Sequence, residues 1–140
     1  MAKVREAVEV LSETECWELL HRVALGRLAV VTPDGADIYP MNFTVHDRAI
    51  YVRSAPGHKL IDLTAAPAVA FEADGRESHT HWSIVIRGQA RRLAADEEIE
   101  ASGILQLRSA TQWAKWNYVR ITPVQITGRR FTLTRDGLFE

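Results

Sequence analysis

The segment YVRSAPGHKLIDL, residues 51 to 63, brings together the two side chains best suited to hold an anion, His58 and Lys59. It opens as a β-strand, breaks at Ser54-Ala55-Pro56-Gly57, and resumes at the spacing of a short helix. Backbone N–H groups in the first turn of a helix lack intrahelical partners, and the helix dipole favours negative charge at that end. A lysine placed there completes a seat for a phosphate monoester, and Gly57 lets backbone come close to it. The same residues also read as a plain strand-to-helix connection whose polar side chains face water.

Other chemistry-bearing residues are less concentrated. His79 and His81 lie two apart on an extended segment, so they point the same way and offer two metal ligands, but no third ligand is close in sequence. The expectation is a pair of solvent-facing histidines at a strand entry. His46 falls in a turn and His21 on the polar side of the first helix, neither with a visible partner. Trp113 and Trp116, three apart, fit core or dimer packing better than a ligand cage. Basic residues recur at strand ends, namely Arg53, Lys59, Arg87, Arg129 and Arg130, and solvation accounts for most such positions.

Three enzyme classes drop out. There is no Gly-x-Ser-x-Gly nucleophile turn, no Walker phosphate loop and no Gly-x-Gly-x-x-Gly dinucleotide fingerprint. Cys16 is the single cysteine, which excludes an internal disulfide, a multi-cysteine zinc site and an iron–sulfur cluster held by the cysteines of one chain. Its place on the apolar side of a helix predicts a buried, inert thiol.

At 140 residues the chain has room for one domain, residues 1–140, with a real core. It is 46% hydrophobic and 25% charged, as folded soluble proteins are. A formal net charge of −1, from 17 basic and 18 acidic side chains, creates no global field for nucleic acid or an anionic membrane. An anion site must therefore be local. Glu6 and Glu9 stand where a signal peptide needs an apolar run, and no long apolar stretch exists, so the expected location is the cytoplasm.

Ser12-Glu13-Thr14-Glu15 has the form of a capping box, followed by Cys16, Leu19, Leu20 and Val23 at helical spacing. This predicts a helix from Ser12 to Ala24, ended by Gly26. Strands follow over residues 26–32 and 37–45, joined at Pro33-Asp34-Gly35, and then over 49–54 after the turn His46-Asp47-Arg48. The short helix after Pro56 runs to Ala65, and Pro67 stops it. Residues 68–74 return as a strand, 75–80 read as loop, and 81–93 form a central strand with Trp82, Ile84 and Ile86 on one face and Ser83, Val85 and Arg87 on the other. Gly88 within it marks a bulge or a close approach. A helix from Asp96, interrupted near Gly103, precedes a last strand over 118–133 that Pro123 places at an edge or bulge. Alternating strands with few helices and no βαβ repeat predict a mainly β (α+β) fold, an antiparallel split β-barrel of about six strands with peripheral helices.

In their order and spacing, these pieces resemble the flavin-binding split-barrel family, the pyridoxamine 5′-phosphate oxidase-like proteins, and in particular its small bacterial flavin-nucleotide-binding members. The matching stretches are Gly26-Arg27-Leu28-Ala29, Tyr39-Pro40-Met41-Asn42-Phe43, Arg53 to Leu60, Trp82 to Gly88 and Ile126-Thr127-Gly128-Arg129-Arg130. The resemblance implies a homodimer of barrels with FMN in the clefts between subunits and an oxidoreductase acting on a small molecule. It implies that Pro40, Met41, Asn42 and Phe43 line the flavin ring, that the strand from Tyr51 through Val52 and Arg53 to Ser54 follows the ribityl chain, and that His58 and Lys59 hold the phosphate. Trp82 and Ser83 approach the same cleft, from the partner subunit if the cleft is shared. Related barrels bind a deazaflavin coenzyme or haem, and a flavin carrier without turnover is a further alternative. True pyridoxamine 5′-phosphate oxidases carry a C-terminal substrate-binding segment, whereas this sequence ends in RDGLFE shortly after its last strand, which argues against that vitamin activity.

Overall fold

The computed structural model describes residues 8–54, 67–106 and 117–132. Its elements run β1 (Glu9–Val10), α1 (Glu13–Leu20), β2 (Leu25–Thr32), β3 (Gly35–His46), β4 (Ala49–Ser54), β5 (Ala68–Glu77), β6 (Thr80–Arg92), α2 (Asp96–Ala101), a 3₁₀ turn (Ile104–Gln106) and β7 (Asn117–Thr132). All pairings are antiparallel, in the order β1-β7-β4-β3-β2-β5-β6, and β6 pairs back onto β7. Six strands thus close on themselves and β1 sits outside on β7, which is the expected split barrel.

Local chemistry sets the corners. Thr32 closes the β2–β3 turn by donating from Oγ1 to the Gly35 carbonyl at 3.0 Å and accepting from the Asp34 N–H at 3.2 Å. Gly35 has φ +127°, a conformation that side chains disfavour. Asp47 and Arg48 both take φ 52°, the paired positive values that match a two-residue hairpin to strand twist. The region expected to be loop is instead paired. β5 continues to Glu77, and Gly75↔Trp82, Arg76↔His81 and Glu77↔Thr80 zip the hairpin to a tight turn at Ser78-His79. Its polar residues reflect a ribbon tip rather than the lack of a ladder.

Alternation then decides what lies inside. Leu28, Val30, Phe43, Ile50, Val52, Phe71, Trp82, Ile84, Ile86 and Ile121 fill the barrel, with Phe43 and Phe71 edge to face at 4.9 Å between ring centroids. α1 adds Cys16, Trp17, Leu19 and Leu20 to this core. The capping box forms as expected, with the Ser12 N–H donating to Glu15 Oε1 at 3.1 Å and the Glu15 N–H to Ser12 Oγ at 3.2 Å. The helix stops at Leu20, four residues earlier than expected. Gly26 is not its terminator, since it lies in β2, where a Cβ would stand 2.3 Å from the Phe71 ring. The Cys16 thiol is buried, and burial pushes its pKa up, as expected of an inert cysteine.

One irregularity shapes the closure. Between Arg87 and Gly88 the β6–β7 register shifts, so that Arg87 faces Gln125 while Gly88 faces Pro123. A Cβ on Gly88 would lie 2.4 Å from the Thr122 carbonyl oxygen, so the bulge and the close approach both occur. Beyond it, β7 leaves room to pair β4 on its other side. α2 and the 3₁₀ turn cover that part of the barrel, burying Ala49, Tyr51, Leu93 and Ile104 in a second apolar cluster.

Candidate functional site

The residues expected to hold a ligand divide into three groups, with Ser83 apart from all of them. Pro40, Met41 and Asn42 lie on the half of β3 that pairs only β2, because β4 joins β3 from Phe43 onward. Among the described residues, the other edge of this half presents unpaired backbone N–H and C=O groups. Pro40 and Asn42 are exposed, and Met41 packs against the core. Arg53 is partly exposed opposite Tyr118, and the Ser54 backbone pairs with Asn117.

A second group points inward. Phe43 and Val52 are direct partners across β3 and β4, and both are buried in the barrel, as is Trp82, whose indole lies over Gly75. The Phe43 N–H donates to the Ala24 carbonyl at 2.9 Å. The side chains of Phe43, Val52 and Trp82 therefore build core and do not wall a cleft. The reason is strand parity, which turns all three to the apolar face. The third group, His58 and Lys59, lies outside the described residues, as do Trp113 and Trp116 and the short helix expected after Pro56.

Ser83 is on the outer face of β6, three strands from β3 by way of β5 and β2. At about 4.8 Å per strand, that is about 14 Å from the β3 edge. Within one copy the sheet therefore holds Ser83 apart from Pro40–Asn42.

The outer face of β2, β3, β5, β6 and β7 carries small and apolar side chains in open view. Val31 is 65% exposed, Ile38 68% and Val124 77%. Ala29, Ala36, Ala68 and Ala70 line a shallow apolar cavity of about 410 Å³ between them. Beside it, a polar groove of about 450 Å³ is lined by Ser83, Arg87, Gln125, Thr127 and Arg129, with Val85 and Phe131. A charged row borders this face. Arg27 donates to Glu72 at 2.7 Å and stands 3.5 Å from Asp74, and His81 Nε2 is 3.6 Å from the other oxygen of Asp74. The hydrogen bond to Glu72 raises the Arg27 pKa further above its ordinary value. His81 thus turns to a carboxylate, and among the described residues no cluster of three metal-ligating side chains exists.

Neither the groove nor the charged row is legible from local pattern. Each joins residues from strands far apart in sequence, through a register that local spacing does not reveal. Arg87 and Arg129 do stand out as basic residues, but nothing local places them on one surface.

Comparison with known proteins agrees with this architecture. Residues 12–130 match the family model described as pyridoxamine 5′-phosphate oxidase. A Corynebacterium glutamicum structure provisionally named as a pyridoxamine 5′-phosphate oxidase is 40% identical, with TM-score 0.78 over 92% of this chain and 97% of that one. An FAD-binding protein of Mycobacterium smegmatis is 39% identical, with TM-score 0.77 over 90% and 100% of the two chains. An FAD-binding protein of Mesorhizobium loti is 26% identical, with TM-score 0.75 over 88% and 96%. With the family model spanning most of its length and the six-stranded barrel closed as described, the chain belongs to the pyridoxamine 5′-phosphate oxidase-like family of split barrels.

Proposed function

We propose that this protein binds a flavin nucleotide and serves as a flavin-dependent oxidoreductase on a small molecule. The observation that carries the reading is the unpaired edge of β3 at Pro40–Asn42 in a chain 39% identical, over nearly its whole length, to an FAD-binding protein. The pyrimidine rim of a flavin needs alternating donors and acceptors, and an open strand edge supplies that donor set. Pro40 removes one N–H and discourages a further strand from adding there. Arg53 stands at the end of β4, and His58 and Lys59 follow it in sequence as the phosphate holders. A bound flavin would supply electron or hydride transfer, while the chain supplies placement and charge.

The flavin is FMN in this reading. FAD is the second, favoured by the two FAD-binding relatives. Mass spectrometry of small molecules released on denaturation separates the two, and titration of FMN, FAD and a deazaflavin into the emptied protein ranks them. Strong preference for the deazaflavin, or no binding of any of the three, overturns the proposal. Reduction of the bound flavin by a nicotinamide, followed by reoxidation with a defined acceptor, separates an enzyme from a carrier.

The site is shared by two copies. Support comes from the separation of Ser83 from the β3 edge and from the exposed apolar face around Ile38, Val31 and Val124, which suits burial against a second copy. Ile38→Lys should turn a dimer into a monomer in light scattering and weaken flavin binding together with it. A monomeric wild type with full flavin affinity contradicts the shared site.

A further inference from the structure

Six arginines of the described chain are neutralised. Arg22, Arg27, Arg48, Arg91, Arg120 and Arg130 each meet a carboxylate. Arg87 and Arg129, like Arg76 and Arg92, meet none among the described residues, and of these four only Arg87 and Arg129 line the polar groove. Their placement is fixed by the ladder. Ser83 faces Arg129, Val85 faces Thr127, and Arg87 faces Gln125, so six side chains form three rows on one outer surface. The arginines occupy opposite corners of this patch, long enough to converge over a floor of Val85 and Thr127. Ser83 and Thr127 add hydroxyls, and Gln125 adds an amide.

The acids closest in the ladder are already committed. Glu72 and Asp74 stand one strand away, opposite Val85 and Ser83, and both are drawn to Arg27, with His81 also on Asp74. If a second copy covers this face, two guanidinium groups enter an interface with no counter-charge from their own chain. Burying an unpaired charge costs several kcal/mol, so such an interface needs a negative group at this spot, from the second copy or from a bound anion. Guanidinium forks match the planar pair of oxygens of a carboxylate or the face of a phosphate, and the flanking hydroxyls and amide suit the remaining lone pairs.

We propose that the groove formed by Ser83, Arg87, Gln125, Thr127 and Arg129 binds the carboxylate or phosphate group of the small molecule on which the protein acts. The proposal rests on the flavin reading for the word substrate, since Ser83 joins this groove to the shared cleft. The anion site itself is testable without it. A volume of about 450 Å³ is suited to a small anionic metabolite.

The test is calorimetric titration of inorganic phosphate and of succinate into wild type, Arg87→Gln, Arg129→Gln and the double variant, each with and without flavin. All four proteins should fold alike, because both arginines are exposed. Wild type should bind at least one anion in the millimolar range, each single variant about tenfold or more weaker, and the double variant not measurably. The bound flavin's visible spectrum should shift with the anion in wild type only. Absence of binding to wild type, or equal binding by the double variant, overturns the site. Loss of dimer in the variants with anion affinity unchanged assigns the arginines to subunit pairing and also overturns it. Loss of flavin affinity in the double variant, in step with loss of phosphate, gives the anion to the cofactor and overturns the substrate assignment. Failure of flavin to bind wild type, with anion binding intact, removes the flavin reading and leaves the site standing.

Discussion

The two halves of the β6–β7 ribbon, divided by the bulge at Gly88, treat the same kind of residue in opposite ways. Past the bulge, Arg91 and Arg120 face one another across the ladder, an arrangement that alone would repel. Glu98 of α2 stands between them, 3.0 Å from Arg91 and 3.3 Å from Arg120, and Arg120 also donates to the Tyr51 hydroxyl at 2.9 Å. Before the bulge, Arg87 and Arg129 share a groove with no described carboxylate, and no described helix covers them. Where the chain covers its own barrel, it supplies the counter-charge. In the groove of the bare face, unlike at Arg27 beside Glu72, the charge is left for something from outside, and that half adjoins the proposed shared cleft.

The largest effect should come from the inner side of the bare half. Trp82→Ala removes a buried indole and opens a cavity, so the flavin-free protein should lose about 3–5 kcal/mol in chemical denaturation. A variant that keeps its stability and loses only flavin affinity would put Trp82 in the cleft after all, and the contrast between inner and outer face would collapse. The divider comes next. Gly88→Ala sets a methyl against the Thr122 carbonyl, backbone that cannot swing aside, and should cost about 1–3 kcal/mol. If it is neutral, the bulge relaxes freely and the two halves are not held apart by it.

How much of this was readable beforehand depends on how local each feature is. The capping box, the hairpins at Pro33-Asp34 and Asp47-Arg48, the two faces of β6 and the bulge at Gly88 all arise from residues within a few positions of each other. Gly26 misled because a glycine after a helical run looks like a terminator, whereas its need is set by Phe71, a residue on another strand. Residues 75–80 misled because a ribbon tip that is at most half-buried has a loop's composition. Strand parity alone placed Trp82 with Ile84 and Ile86 on one face, and the structure makes that face the buried one. The resemblance, which carries positions and not side-chain directions, drew it toward the cleft. The anion groove stayed hidden because Ser83 and Arg129 become neighbours only through the register of β6 on β7.

The smallest effect tests the covered half. Glu98→Gln leaves the shape of α2 but removes the charge between Arg91 and Arg120. These are partly exposed pairs, so the loss should be about 1 kcal/mol or less at neutral pH and should shrink in high salt. Hydrogen bonding from Arg91, joined by Arg120, holds the Glu98 carboxyl below the usual carboxylate range. A pKa lowered by folding contributes stability that is present above the unfolded value, about 4.3, and is lost as pH falls through the folded one. Wild type should therefore exceed Glu98→Gln in thermal stability at pH 7, and the gap should close in acid as the wild-type carboxyl takes up its proton. A gap that persists unchanged below pH 3 would mean that Glu98 acts through packing, and that the covered half is held by its apolar cluster rather than by the charge that distinguishes it from the bare one.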